Sequence, residues 1–315
     1  MAKVLITGIS GQDGRLLTEY LVGLDHEVVG TTRGGAFEIA RGSGEMNRRA
    51  SRVFSLDYEF DNIVRLLESE RPKYVFNLAG QAYVGKSWLK VEESLNSVAL
   101  LTTRLLEAVK TVDPTIRLFQ ASSSQIYAPS DTAMSEDSPL APRTPYACSK
   151  AYAHFLVQSY RETHGLFAVN GILFNHESPL RKNDFFLQKV VHGAVAISRG
   201  EQEFLDLGDL AVSRDMGCAG EFMEAAYRTL RADSPDDYNI CTGVSTNLGV
   251  LVDYVFERLS ISSQEFVRTN RNFVRRYEPP LILGDPGKIE KVLGWSPKRT
   301  VYEVIDGMID AALKD

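Results

Sequence analysis

The stretch TPYACSK (144–150) sets a phenol, Tyr146, four residues ahead of an ammonium, Lys150. On a helix that spacing puts both on one face, one turn apart. An ammonium beneath a phenol stabilises phenolate and draws its pKa toward working pH. The pair can then take a hydroxyl proton while hydride leaves the same carbon. The run IRLFQASSS (116–124) ends in Ser122, Ser123 and Ser124, any of which could hold the reacting oxygen. A hydride also needs an acceptor. GISGQDG (8–14) carries Gly8, Gly11 and Gly14 in a G-x-x-G-x-x-G pattern around Gln12 and Asp13, after an apolar run and ahead of a helical pattern. Glycines allow a tight turn and close approach of a pyrophosphate, which then sits on a helix N-terminus. Strand, turn and helix in that order predict dinucleotide binding.

The end of the second strand reads the adenine ribose. An acid there would bond the hydroxyls of NAD and repel a 2′-phosphate. TTRGG (31–35) has no acid and places Arg33 where a guanidinium can pair with phosphate, so NADP is expected, with NAD as the alternative. Asp57, ending the third strand, could reach the adenine edge or cap the helix that follows.

These groups must be held by a frame, and the first half of the chain describes one. KVLITG (3–8), HEVVGTT (26–32), RVFSLD (52–57), KYVFNLAG (73–80), IRLFQASSS (116–124) and FAVNGILFN (167–175) are apolar and β-branched, as strands buried on both faces should be. GRLLTEYLVGL, FDNIVRLLESE and LNSVALLTTRLLEAVK, between them, have helical periodicity. The alternation predicts an α/β fold, a Rossmann-type doubly wound parallel sheet spanning residues 1–175. Beyond residue 175 loops lengthen around AGEFMEAAYRTL and VLVDYVFERL. Residues 176–315 are expected to be mainly a smaller substrate-binding lobe, with elements free to interleave with the first domain.

Composition is that of an ordinary globular protein, 44% hydrophobic and 24% charged over 315 residues. A formal charge of −6 offers no electrostatic reason to expect nucleic acid or an anionic membrane as partner. Cys148, Cys218 and Cys241 lack metal-ligand spacing, which predicts three buried, reduced thiols and no metal site. No apolar signal stretch or membrane-length run is present, so a cytoplasmic location is expected.

Taken together, these motifs resemble those of the extended short-chain dehydrogenase/reductases that remodel nucleotide sugars. GISGQDG, FNLAGQAYVGKSW (76–88), FQASSSQIYA (119–128), YRETHGLFAVNGILFNHESPLR (160–181), LGDLAVSRDMGCAGEFMEA (207–225), DDYNICTG (236–243) and LILGDPGKIEKVLGWSP (281–297) narrow the resemblance to the GDP-mannose 4,6-dehydratase family, over the whole chain. The resemblance implies hydride transfer from sugar carbon 4 to NADP, loss of water across carbons 5 and 6, and hydride return at carbon 6. It implies a GDP-linked diphosphate sugar held by Ser87, Asn175, Glu177, Lys189, Arg214, Arg275 and Glu278. His176 in the NHESP run is read as structural.

The family's Thr-x-Glu motif falls on Ser123, Ser124 and Gln125. Ser123 keeps the hydroxyl, whereas Gln125 cannot accept a proton at any working pH. Three readings follow. Tyr146 or Glu177 supplies the proton transfer and the chain is still a dehydratase; or elimination is lost and the chain is a carbon-4 epimerase or 4-keto-sugar reductase; or it is a non-catalytic NADP-binding partner subunit. Retained Tyr146 and Lys150 argue against the last. The family's arginine pair after the second strand is here Arg33 followed by Gly34 and Gly35, and the loop AFEIARGSGE (36–45) is glycine-rich. A tetramer through that loop is therefore not expected. A homodimer through the long helices, including the one bearing Tyr146, is.

Overall fold

The computed structural model describes residues 1–34, 38–39, 49–270, 273 and 277–314. In the first half β1 (Lys3–Thr7), β2 (Glu27–Arg33), β3 (Glu38–Ile39), β4 (Arg52–Leu56), β5 (Tyr74–Asn77), β6 (Arg117–Ser123) and β7 (Ala168–Leu173) are linked by α1 (Gln12–Gly23), α2 (Phe60–Glu70), α3 (Val91–Ser94), α4 (Leu101–Val112) and α5 (Pro145–His164). The runs expected as buried strands are so: every residue of β5 and β7 is buried. They order as β11-β7-β6-β5-β1-β2-β4-β3, parallel except where β3 runs antiparallel on β4. Order reverses between β1 and β5, and the crevice at the carboxyl ends of those two strands is where open α/β sheets take ligands.

The second half contributes β8 (Asn175–Glu177), α6 (Phe186–Ser198), β9 (Leu205–Leu207), β10 (Ser213–Cys218), α7 (Ala219–Thr229), β11 (Asp237–Ile240), β12 (Ser245–Asn247), α8 (Leu248–Arg258), α9 (Ser263–Phe266), β13 (Val267–Thr269), β14 (Leu281–Ile282), α10 (Gly287–Leu293) and α11 (Val301–Ala312). Strand β11 pairs with β7 on the main sheet and α7 packs against α1, so the chain returns to its first half after residue 175. The lobe has its own apolar core, with Leu187, Val191, Leu251, Phe256, Ile305 and Met308 among its buried residues. Its small sheet, built on β10, takes β8 at one end, and β8 follows directly from β7. One continuous run of chain thus joins sheet and lobe beneath the crevice.

Two local features depart from expectation. The helical run from residue 95 begins with six residues, Leu95–Leu100, wound as a π-helix before α4. There the Ser97 hydroxyl donates to the Glu93 carbonyl at 2.6 Å and accepts the Gln81 amide at 3.2 Å, tying the wide turn to the loop after β5. Of the three cysteines only Cys241 is buried; Cys148 lies on the outward face of α5 and is exposed, and Cys218 is half-buried.

Candidate active site

The Gly-rich turn crosses from β1 to α1. Gly8 has φ +70°, and a Cβ there would lie 2.9 Å from the Ala79 backbone. A Cβ at Gly14 would lie 2.6 Å from the Gly8 carbonyl oxygen, so α1 can approach the turn only without one. Gly11 caps α1 with no side-chain oxygen. The first N–H groups of the helix are therefore left to an anion, and these residues fit a dinucleotide pyrophosphate. Arg33 ends β2 with 63% of its side chain exposed, 3.3 Å from Glu93. Asp57 accepts from the Glu59 amide and the Asn62 side chain, each at 2.9 Å, and these bonds hold its carboxyl below the usual range. These bonds close a turn just ahead of α2, whose N-cap residue is Glu59 and carries no side-chain cap bond.

Gln12 and Asp13 tie the turn to β8. Gln12 Nε2 donates to Asp13 at 3.0 Å and to the His176 carbonyl at 3.3 Å, and Ser178 donates to Gln12 Oε1 at 2.8 Å. His176 Nδ1 lies 2.7 Å from the Phe174 carbonyl, and Nε2 lies 3.1 Å from Asp13. Both partners only accept, an arrangement that favours the doubly protonated ring. Burial alone would lower its pKa; the Asp13 carboxylate overcomes that and raises it. Burial likewise pushes Asp13 up, but His176, Arg181 and Gln12 hold it well below the carboxylate range.

The reacting groups sit where β6 ends against α5. Thr144 caps α5 by accepting the Ala147 amide at 3.1 Å, and Pro145 occupies its first turn. Tyr146 and Lys150 follow one turn apart, both buried. Lys150 Nζ donates to the Ala121 carbonyl at 2.6 Å, and Tyr146 and Ser123 line the same cavity wall. Burial pushes Lys150 down from 10.5 to about 8. Burial raises Tyr146, opposed by Ser123 and Arg181. Ser122, Ser123, Ser124 and Gln125 lie beside this pair on the wall of a cavity of about 850 Å³. Its size suits a ligand of the class that fills such clefts.

From the serines the cavity runs to the lobe. Asn175, Lys189, Arg214 and Glu278 line it, as do Asp13, His176 and Arg181. Lys189 donates to the Asp206 carbonyl at 2.6 Å and stands 3.8 Å from the Phe273 ring centre. Arg214 pairs with Glu278 and donates to the Ser213 carbonyl at 2.7 Å. Ser87 sits off the wall, fully buried, its hydroxyl donating to the Val84 carbonyl at 2.7 Å. Glu177 is also buried off the wall, 3.6 Å from Arg181 Nε, and burial raises its carboxyl. Arg275 and the loop 36–45, apart from the backbone of 38–39, lie outside the described residues. Sequence reasoning missed Arg181 and a group that crosses the cleft. Lys86 bonds Asp184 at 2.7 Å, and the Tyr83 and Phe185 rings pack 4.5 Å apart between centres. No local signal marked Arg181, because Glu177 ends β8 and Arg181 lies in the irregular loop before α6, where no helical period applies.

The family model described as GDP-mannose 4,6 dehydratase matches residues 5–308. The chain is 36% identical over 322 residues to GDP-mannose 4,6 dehydratase 2 of Arabidopsis thaliana, covering 98% of this chain and 86% of that one. It is 32% identical to the GDP-mannose 4,6-dehydratase of Vibrio cholerae, covering 99% and 94%. Among solved structures, the dTDP-glucose 4,6-dehydratase of Streptomyces venezuelae with NAD and TYD bound superposes with a TM-score of 0.87 at 20% identity, covering 99% and 97%. RMD from Pseudomonas aeruginosa complexed with NADPH superposes at 0.84 and 23% identity, covering 100% and 99%. At such identities the solved structures speak to the fold.

Proposed function

The chain belongs to the GDP-mannose 4,6 dehydratase family, and from that premise we propose that it transfers hydride at carbon 4 of a GDP-linked sugar and eliminates water across carbons 5 and 6. The observation that carries the reading is Tyr146, beside Ser123 and one turn ahead of buried Lys150, on a cavity with the Gly-rich turn at one end and Lys189 and Arg214 at the other. A bound nicotinamide dinucleotide supplies the hydride acceptor and donor. Ser123 orients the reacting hydroxyl, Tyr146 takes its proton, and Lys150, anchored on the Ala121 carbonyl, places a cation against developing phenolate. Arg33 supports NADP as the dinucleotide.

Gln125 supports a second reading, a carbon-4 epimerase or 4-keto-sugar reductase without elimination. The described acids on the cavity wall are Asp13, Asp184, Asp209 and Glu278, from the Gly-rich turn and the lobe. Asp13, Asp184 and Glu278 are each paired with a cation. Lys150 donates to the Ala121 carbonyl and His154 Nδ1 lies 3.4 Å from the Ser122 hydroxyl, so elimination without a carboxylate at 125 would draw on Tyr146, on the same wall, or on Glu177, buried off it. Incubation with GDP-mannose and catalytic NADP, followed by proton NMR, decides between the readings. A carbon-6 methyl doublet means elimination, and Gln125→Glu should then speed it by about a hundredfold. An altered carbon-4 configuration without the methyl signal favours the second reading. Hydride transfer unaffected by Tyr146→Phe would overturn both.

Assembly as a homodimer through α5 and its neighbour is supported by a shared apolar face. Tyr152 and Phe155 on α5 are 48% and 55% exposed, and Leu95 on the adjoining π-helical segment is 53% exposed. The Tyr152 hydroxyl lies 3.3 Å from Thr103, which places the two helices side by side. Among the described residues no helix is long and apolar enough to cross a membrane, and the three free thiols support a reducing compartment such as the cytoplasm.

A further inference from the structure

Arg33, the residue read as the partner of a 2′-phosphate, already has a carboxylate of its own. Glu93, on α3 and 60 residues away in sequence, offers Oε1 to Arg33 Nη1 at 3.3 Å and Oε2 to Lys90 Nζ at 2.8 Å. One carboxylate thus bridges two cations at the end of β2, where the adenine ribose is read. Its position is fixed from behind. The Glu93 carbonyl accepts the Ser97 hydroxyl, which in turn accepts the Gln81 amide beside the cavity, on the π-helical turn already described.

We propose that Glu93 sets the dinucleotide preference by competing with a 2′-phosphate for Arg33 and Lys90, so that the site accepts both NADP and NAD. The inference rests on Arg33 being the phosphate's partner. Without Glu93, two cations would face a group carrying up to two negative charges. With it, the phosphate must either displace Glu93 from Arg33 or sit near a like charge. The unphosphorylated ribose meets no such competition, and Glu93 can accept its 2′-hydroxyl. Arg33 and Lys90 are more than half exposed, so screening keeps the effect moderate.

The test is equilibrium binding of NADPH and NADH, followed by nicotinamide fluorescence, to the wild-type chain, Glu93→Gln, Arg33→Ala and the double variant. Glu93→Gln should tighten NADPH by about threefold to tenfold and leave NADH within about twofold, with the gain shrinking as salt rises. In the Arg33→Ala background the same substitution should change NADPH affinity by less than about twofold. An unchanged NADPH-to-NADH ratio in Glu93→Gln, weaker NADPH binding, or an equal gain without Arg33 would overturn the inference. Arg33→Ala by itself tests the premise: unaltered NADPH affinity would remove Arg33 as the phosphate partner, whatever Glu93 does. NADH affinity reports that each variant is folded.

Discussion

His176 holds two acceptors with one ring, and the consequence is a pH-dependent link between the Gly-rich turn and the lobe. Its folded pKa is raised above 6.5, so its contribution to stability is complete below 6.5 and is lost as pH rises through the higher folded value. Asp13 is depressed below 3.8, so its share is complete above 3.8 and is lost only as pH falls through its folded value. The pair therefore contributes fully between those limits. Replacing one partner leaves the other charged and mostly buried, although Asp13 keeps 22% of its side chain open, which moderates the cost. His176→Ala should lose about 2–3 kcal/mol near pH 5.5, read by urea denaturation. The difference from wild type should narrow as pH rises above 6.5 and through the raised folded pKa; a constant difference would mean that only packing is lost.

Between elements, the contact that matters is the bridge over the cavity. Lys86 comes from the 3-10 turn after β5 and Asp184 from the loop before α6, and their side chains are 53% and 59% exposed. Lys86 Nζ also stands 4.4 Å from the Tyr83 ring centre, and the Arg181 guanidinium stands 3.7 Å from that of Phe185. An exposed pair contributes little to folding, so the bridge can open and close at small cost. Lys86→Ala combined with Asp184→Ala should raise KM for the sugar nucleotide about threefold with kcat nearly unchanged. Salt titration is the check: wild-type KM should rise toward the variant's as ions screen the pair. A fall in kcat with constant KM would place these residues in the chemistry instead.

For the whole molecule, the apolar face on α5 and the adjoining π-helical segment predicts association. Tyr152→Glu with Phe155→Glu puts two charges on that face and should shift a dimer to monomer in sedimentation velocity at micromolar concentration. Both residues lie on the face opposite Tyr146 and Lys150, as their exposure against the burial of the catalytic pair requires. Nicotinamide binding should therefore persist in the monomer. A wild-type chain that sediments as a monomer would remove the assembly.

Much of the frame was legible before any coordinates, because its signals are local. Strands buried on both faces read as unbroken apolar runs, a Gly-rich turn needs particular backbone angles, and four residues make one helical turn. Tyr146 and Lys150 therefore came together as their spacing required. Which neighbouring side chain faces the cavity was a different matter. Lys86 lines the wall and Ser87 does not; Arg181 lines it and Glu177 does not. In short turns and irregular loops no repeating period sets side-chain direction, and the three-dimensional packing decides it. The same holds for partners far apart in sequence. Glu93 meets Arg33 and His176 meets Asp13 only because parallel crossovers bring the ends of distant elements to one crevice, and no local pattern encodes that meeting.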